Sequence, residues 1–157
     1  PEATVIVEYL DGLAGGGRLI PSDPDAALDV RLWDRIFDGY VMTPMQKIVL
    51  DSLRPEGAND TVGVEEARAE LDRAYAMLND RLPAEGFAAG GDFTLADCSA
   101  APSLFYARVV HRWDEERFDV LTGYYRRLEA RPSVAKVIDE GREYRSIFPL
   151  PWPDWVD

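Results

Sequence analysis

Cys98 is the only thiol in this chain and His111 the only imidazole. That pair limits the available chemistry at once. A site with several histidines, a zinc cluster and a triad using two histidines are all excluded, so no metal site is expected. Carboxylates are plentiful at 29, yet none stands in a pattern that separates a general acid from a general base. Asp97, three residues after Thr94, reads as the second half of a helix capping box, in which the carboxylate reaches back to the Thr94 backbone N–H. Losing either partner should cost about 1 kcal/mol. Cys98 falls on an apolar stripe with Leu95, Pro102, Phe105 and Val109, which predicts a small core residue rather than a reactive thiolate. His111 falls at a helix C-terminus, where an imidazolium is favourable. No residue of this chain is therefore assigned a catalytic role.

The elements that carry these residues are helical. Around Thr94 the spacing predicts a central helix, bent once at Pro102, because proline lacks an N–H and its ring crowds the carbonyl of Cys98. Upstream, residues 1–12 place Val5, Ile6, Tyr9 and Leu10 on one face of a short helix that must be held by packing. The glycine- and proline-rich stretch that follows is a connector. Its glycines fit neither G-x-G-x-x-G nor a P-loop. Asp23 as N-cap with Pro24 at the first helical position opens a long helix over residues 25–53. Its stripe is Trp33, Ile36, Phe37, Tyr40, Val41, Met45, Ile48 and Val49, with a kink predicted near Tyr40 from Thr43-Pro44. Asp29, Arg31, Asp34, Arg35 and Asp38 form its solvated face. A third helix over 64–82 aligns Val64, Ala67, Leu71, Ala74, Tyr75, Leu78 and Leu82, with Arg68 and Asp72 at pairing distance on its polar side. Two short helices, 118–130 and 133–144, flank Pro132. The tail, with three prolines and two tryptophans, cannot stay helical for long.

Composition agrees with a single globular unit. Hydrophobic residues make up 46% and charged ones 29%, which is too apolar for disorder. The formal charge of −12 argues against nucleic acid or an anionic membrane as partner, since phosphate neutralisation is not available on average. One cysteine cannot form an internal disulfide, so a reducing, cytoplasmic setting is the expectation. No apolar run approaches the ~20 residues of a membrane span.

Three segments carry a family resemblance. FTLAD at 93–97, FDVLTGYYRRLEARPSV at 118–134 and EATVIVEYL at 2–10, in this order, resemble the glutathione transferases. The first two match the start of the central helix and the Arg-Pro-Ser turn of the C-terminal helical domain. The third matches the last helix of the thioredoxin-like N-terminal domain. The resemblance implies an all-α bundle of five main helices with one short N-terminal helix. Residues 1–12 would be left from the thioredoxin-like domain, 13–24 would form the linker, 25–148 the helical domain and 149–157 an aromatic tail.

The resemblance also implies a function. Glutathione would be the co-substrate, not a covalently bound cofactor, and a small hydrophobic electrophile the second substrate of a homodimer. The γ-glutamyl end of glutathione would meet Glu2 and Ala3, where the family's serine hydroxyl is replaced by a methyl group. Tyr40, Met42, Met45, Tyr106, Trp152 and Trp155 would wall the substrate pocket, methionine suiting varied apolar ligands. The family's thiol-activating residue belongs near the start of the thioredoxin-like domain, so this stretch alone should be inactive. The rival expectations are a non-catalytic interaction module of the same family, which Ala3 favours, and an unrelated helical bundle.

Overall fold

The computed structural model describes residues 2–156. Its helices follow from local signals that tertiary packing then selects. Asp23 caps α2 (Pro24–Ile36), its carboxylate accepting from the Ala26 N–H at 2.9 Å. Asp60 does the same for α4 (Thr61–Arg81) through the Gly63 N–H at 2.8 Å, which begins that helix three residues before the apolar pattern does. α1 spans Ala3–Leu13, α3 Thr43–Asp51, α5 Leu95–Val110, α6 Asp119–Ala130 and α7 Pro132–Gly141. Two 3-10 turns, Arg142–Ile147 and Asp154–Val156, complete the order, and the described residues contain no strand. None of these helices is long and apolar enough to cross a membrane.

The long helix continues without a break through a π-helical turn, Phe37–Met42, that joins α2 to α3. Pro44 has no N–H for the ladder, and the Asp38 carbonyl accepts both the Thr43 N–H and, at 3.0 Å, the Thr43 hydroxyl. Widening the turn changes the register of the stripe. Phe37, Val41, Met45 and Ile48 stay buried, whereas Tyr40 rotates out to 61% exposure. The expected core position of Tyr40 is thus corrected.

α5 runs through the centre and touches α1, α2, the π turn, α3 and α6. Because it is enclosed on several sides, its buried apolar residues are Leu95, Ala96, Ala100, Leu104, Ala107 and Val109. Small alanines let the neighbouring backbones approach. Cys98, Pro102 and Phe105 are not in this core, contrary to the expected stripe. Their apolar character belongs to a groove on the other side of the helix. The helix runs through Pro102 without a break.

The core is aromatic at its middle. Phe37 stacks on Tyr124 at 6.1 Å and Trp33 on Phe37 at 5.8 Å. Tyr75 meets Trp113 edge-on at 5.3 Å, and its hydroxyl, whose pKa burial drives upward, donates to the His111 carbonyl at 2.8 Å. Each fully buried side chain of this size contributes about 2 kcal/mol of apolar transfer.

Asp97 is wholly buried and does more than cap. One carboxylate oxygen takes the Thr94 N–H at 2.8 Å and the Thr94 hydroxyl at 3.0 Å. The other takes the Ala88 N–H at 3.0 Å and the Tyr124 hydroxyl at 2.7 Å. The residue therefore ties the tight turn at Gly86–Gly90, the start of α5 and the middle of α6 into one unit. Gly86 has φ +77, and a Cβ there would sit 2.6 Å from the Gly90 carbonyl oxygen, so the turn requires glycine.

α1 is held differently from the expectation. Val5, Ile6, Tyr9 and Leu10 are exposed, and the contacts to the bundle come from its other face. There the Thr4 hydroxyl reaches Asp34 at 3.2 Å, Glu8 pairs with Arg31, and buried Asp11 accepts from the Leu19 N–H at 3.1 Å. Asp34 itself is only 1% exposed, so it leaves the solvated face to which the charge pattern assigned it. On α4, Arg68 pairs with Glu65 at 3.0 Å, and Asp72, expected as its partner, faces His111 at 2.8 Å.

Candidate functional site

An apolar groove of about 950 Å³ opens on one side of the bundle. α3 supplies Met45 and Val49 to one wall, with Met42 at the end of the π turn. α5 supplies Cys98, Ala101, Pro102, Phe105 and Tyr106. α7 and the 3-10 turn after it close the opposite side with Val134, Val137, Ile138, Arg142, Tyr144 and Arg145, and the tail lays Phe148 and Trp152 over one end. The proline-rich tail can do this because it is extended beyond Ile147 and free to follow the surface. A cavity of this size with aromatic walls and a few polar groups suits one drug-sized ligand.

Four aromatic rings form a closed set of contacts at the tail end. Phe105 meets Tyr106 edge-on at 5.1 Å and Trp152 at 5.9 Å. Phe148 stacks on Tyr106 at 5.9 Å and meets Trp152 edge-on at 5.4 Å. The Arg145 guanidinium lies 5.0 Å from the Trp152 ring centre.

Of the residues named from the sequence, Met42, Met45, Tyr106 and Trp152 come together in this groove. Tyr40 and Trp155 do not. Tyr40 is turned to solvent by the π turn, and Trp155 lies over Arg112 at 4.4 Å and Arg108 at 4.9 Å, at the far end of α5. Phe105, Phe148 and the two arginines were not anticipated. Their helical spacing carries no sign of which neighbours they meet.

Cys98 sits half-buried in the groove wall. Burial pushes its thiol up to about 11, helped by the negative charges of Asp97 and Asp34 and opposed by Arg131. At neutral pH it is a thiol, not a nucleophile. No cluster of three or more His, Cys, Asp or Glu side chains among the described residues is placed to hold a metal ion.

Next to this wall is a buried polar junction. The Asp34 carboxylate accepts from Thr4 on α1, from Arg35 at 2.8 and 3.0 Å, and from the Ser99 hydroxyl on α5. Two hydrogen-bonded steps thus connect the first turn of α1 to the residue after Cys98. Glu2 and Ala3 are exposed at the start of that turn, and Glu2 makes no side-chain capping bond. At the other end of α5, Glu115 accepts from Arg112 and Arg108 at 2.7 Å each, and these bonds lower its carboxyl to about 2. This second depression, about 710 Å³, is lined mainly by charged side chains, with Trp113 among them.

Fold and groove together define a helical domain with an apolar groove between α3, α5, α7 and the tail. Residues 61–127 match the family model described as glutathione S-transferase, C-terminal domain. Glutathione S-transferase A of Pleuronectes platessa is 30% identical over 125 residues, covering 76% of this chain and 53% of that protein. A glutathione S-transferase of Methylobacillus flagellatus, solved with GSH bound, superposes with a TM-score of 0.77 at 28% identity, covering 87% of this chain and 68% of that one. One from Methylobacterium radiotolerans, in complex with glutathione sulfonate, gives 0.74 at 26% identity, covering 87% of this chain and 65% of that one. The chain belongs to the glutathione S-transferase family. It spans about half the length of the curated relative from Pleuronectes platessa.

Proposed function

We propose that this chain is the helical, substrate-binding part of a glutathione transferase that conjugates or reduces electrophiles with glutathione. The observation that carries the reading is the groove. It is deep, largely apolar, assembled from α3, α5, α7 and the tail, and bordered by an inert thiol rather than a nucleophile. Its own residues bind and orient; the reacting thiolate would be that of glutathione. On this reading Glu2 and Ala3 flank the γ-glutamyl end of the tripeptide, and the two solved relatives with GSH or glutathione sulfonate bound support glutathione as the co-substrate. Ala3 has no hydroxyl to offer, so the contact there falls to its backbone and to the Glu2 carboxylate.

The same proposal assigns residues 1–12 to a thioredoxin-like part, which is in keeping with an α1 whose Val5, Ile6, Tyr9 and Leu10 face away from the bundle. The homodimer would use the outer face of α2, where Leu28 and Leu32, one turn apart, are 66% and 54% exposed. The setting would be the cytoplasm.

The experiment is a glutathione-agarose pull-down together with a conjugation assay on the full-length parent protein. Retention and turnover of an aromatic electrophile are expected, with no turnover by residues 1–157 alone. No binding and no turnover by the parent would overturn the enzyme reading in favour of a non-catalytic interaction module, which the methyl group of Ala3 independently favours.

A further inference from the structure

The tail that crosses α5 is stiff. Pro149, Pro151 and Pro153 alternate with Leu150 and Trp152, and each proline fixes its own φ and holds the residue before it away from the helical region. Beyond Pro153 the 3-10 turn Asp154–Val156 closes with the Val156 N–H on the Pro153 carbonyl at 3.2 Å. Trp152 and Trp155 are therefore carried on one short rigid arm. Leu150 packs against the core, and Trp152 meets Phe105 and Phe148 over the groove at 5.9 and 5.4 Å. Trp155 lies on the guanidinium groups of Arg112 and Arg108, at 4.4 and 4.9 Å.

The platform under Trp155 is held from its other sides. Arg108 also faces the rings of Tyr125 and Trp113, at 5.2 and 5.8 Å, and one oxygen of Glu115 accepts from both Arg108 and Arg112 at 2.7 Å. The carboxylate thus fixes two cations under one ring. Trp155 itself is 36% exposed, which makes its hold the most reversible contact of the arm. Losing such a cation–π contact shifts an equilibrium about fivefold.

We propose that Trp155 on the platform of Arg108, Glu115 and Arg112 is the clasp of a strap across the groove, setting how fast the groove exchanges its ligand and not how tightly it holds it. This rests on the reading of the groove as the substrate site and gives the charged end of α5 a role in that site's kinetics. Because Pro153 couples the two tryptophans, Trp155 must leave its platform before Trp152 can lift from Phe105. With the strap closed over the empty and the filled groove alike, loosening the clasp multiplies entry and release by the same factor, which cancels in the affinity. Arg108, Arg112 and Glu115 are positioning residues that act through Trp155.

The test is stopped-flow tryptophan fluorescence of this chain with 2-naphthamide, paired with isothermal titration calorimetry. In Trp155→Ala the association and dissociation rates should both rise about fivefold, with the calorimetric affinity unchanged to within about twofold. Arg112→Gln should raise both rates about twofold, and Trp155→Phe, which keeps a ring on the platform, should leave them near those of the unsubstituted chain. The unchanged affinity also reports that the groove of each variant is intact. Unchanged rates in Trp155→Ala would overturn the clasp and leave the groove as the substrate site. Weaker binding of Trp155→Ala through faster release alone would overturn it as well, by making Trp155 a direct ligand contact. No binding of 2-naphthamide by the unsubstituted chain would overturn both the clasp and the substrate reading.

Discussion

Replacing Asp97 separates a helix cap from a tertiary keystone by magnitude alone. A cap contributes about 1 kcal/mol. In the folded chain, however, the Asp97 carboxylate accepts four hydrogen bonds from three segments at 2.7–3.0 Å and is 0% exposed. In Asp97→Ala the Thr94 N–H, the Ala88 N–H and the Tyr124 hydroxyl all lose their acceptor where water does not reach. Each orphaned buried donor costs about 1–2 kcal/mol, so the three together should cost about 3–6 kcal/mol. Asp97→Asn keeps one acceptor oxygen for Ala88 and Tyr124 but turns an NH₂ toward the Thr94 donors, and should cost about 2 kcal/mol. Tyr124→Phe removes one donor and leaves the rest, at about 1 kcal/mol. Urea denaturation followed by circular dichroism reads these values, and the Asp97→Ala midpoint should fall by about 2 M with an unchanged slope. Affinity of folded Asp97→Asn for 2-naphthamide should stay within twofold of the parent value. A loss below about 1.5 kcal/mol for Asp97→Ala would refute the tertiary role and return the residue to simple capping.

Three further outcomes follow from the geometry. Glu115, held at about 2 by Arg112 and Arg108, has a folded pKa below its unfolded one, so its contribution is present above the ordinary carboxyl range and is lost as pH falls toward 2. Glu115→Gln should therefore cost about 1 kcal/mol at pH 7, after discounting for the exposed Arg112 and Arg126, and nothing at pH 2; an equal deficit at both pH values in urea titrations would contradict this. Cys98, with a thiol near 11, should react with iodoacetamide far more slowly than free cysteine at pH 7 and speed up about tenfold per pH unit toward pH 10; labelling at the free-thiol rate, followed by mass spectrometry, would contradict its burial. Trp152→Ala should weaken 2-naphthamide binding about tenfold by removing one wall of the aromatic cluster, whereas Trp155→Ala, which lies over Arg108 and Arg112 instead, should change it less than twofold in the same calorimetric titration.

Local signals made much of this fold legible from residues alone. Asp23-Pro24, Thr94 with Asp97, and Pro132 mark helix starts because capping and proline effects act within one turn, and the α4 stripe from Ala67 to Leu82 is buried because a single face of that helix meets the core. The order of these elements also carried the family. What the sequence left open were facts about orientation between segments far apart in the chain. Asp34 and Asp38 are indistinguishable by local pattern, yet one is buried between Thr4 and Ser99 and the other is exposed. Cys98, Pro102 and Phe105 are apolar at helical spacing whether they face a core or a groove, because periodicity reports that a side leaves water and not what it meets. Tyr40 left the core through one widened turn, and Arg142, Arg145 and Phe148 joined Tyr106 and Trp152 only when the tail crossed α5. The residues by themselves determined the helices, their caps and their order. Packing alone decided which apolar side of α5 became core and which became site, since that depends on the neighbours surrounding the helix and not on the helix itself.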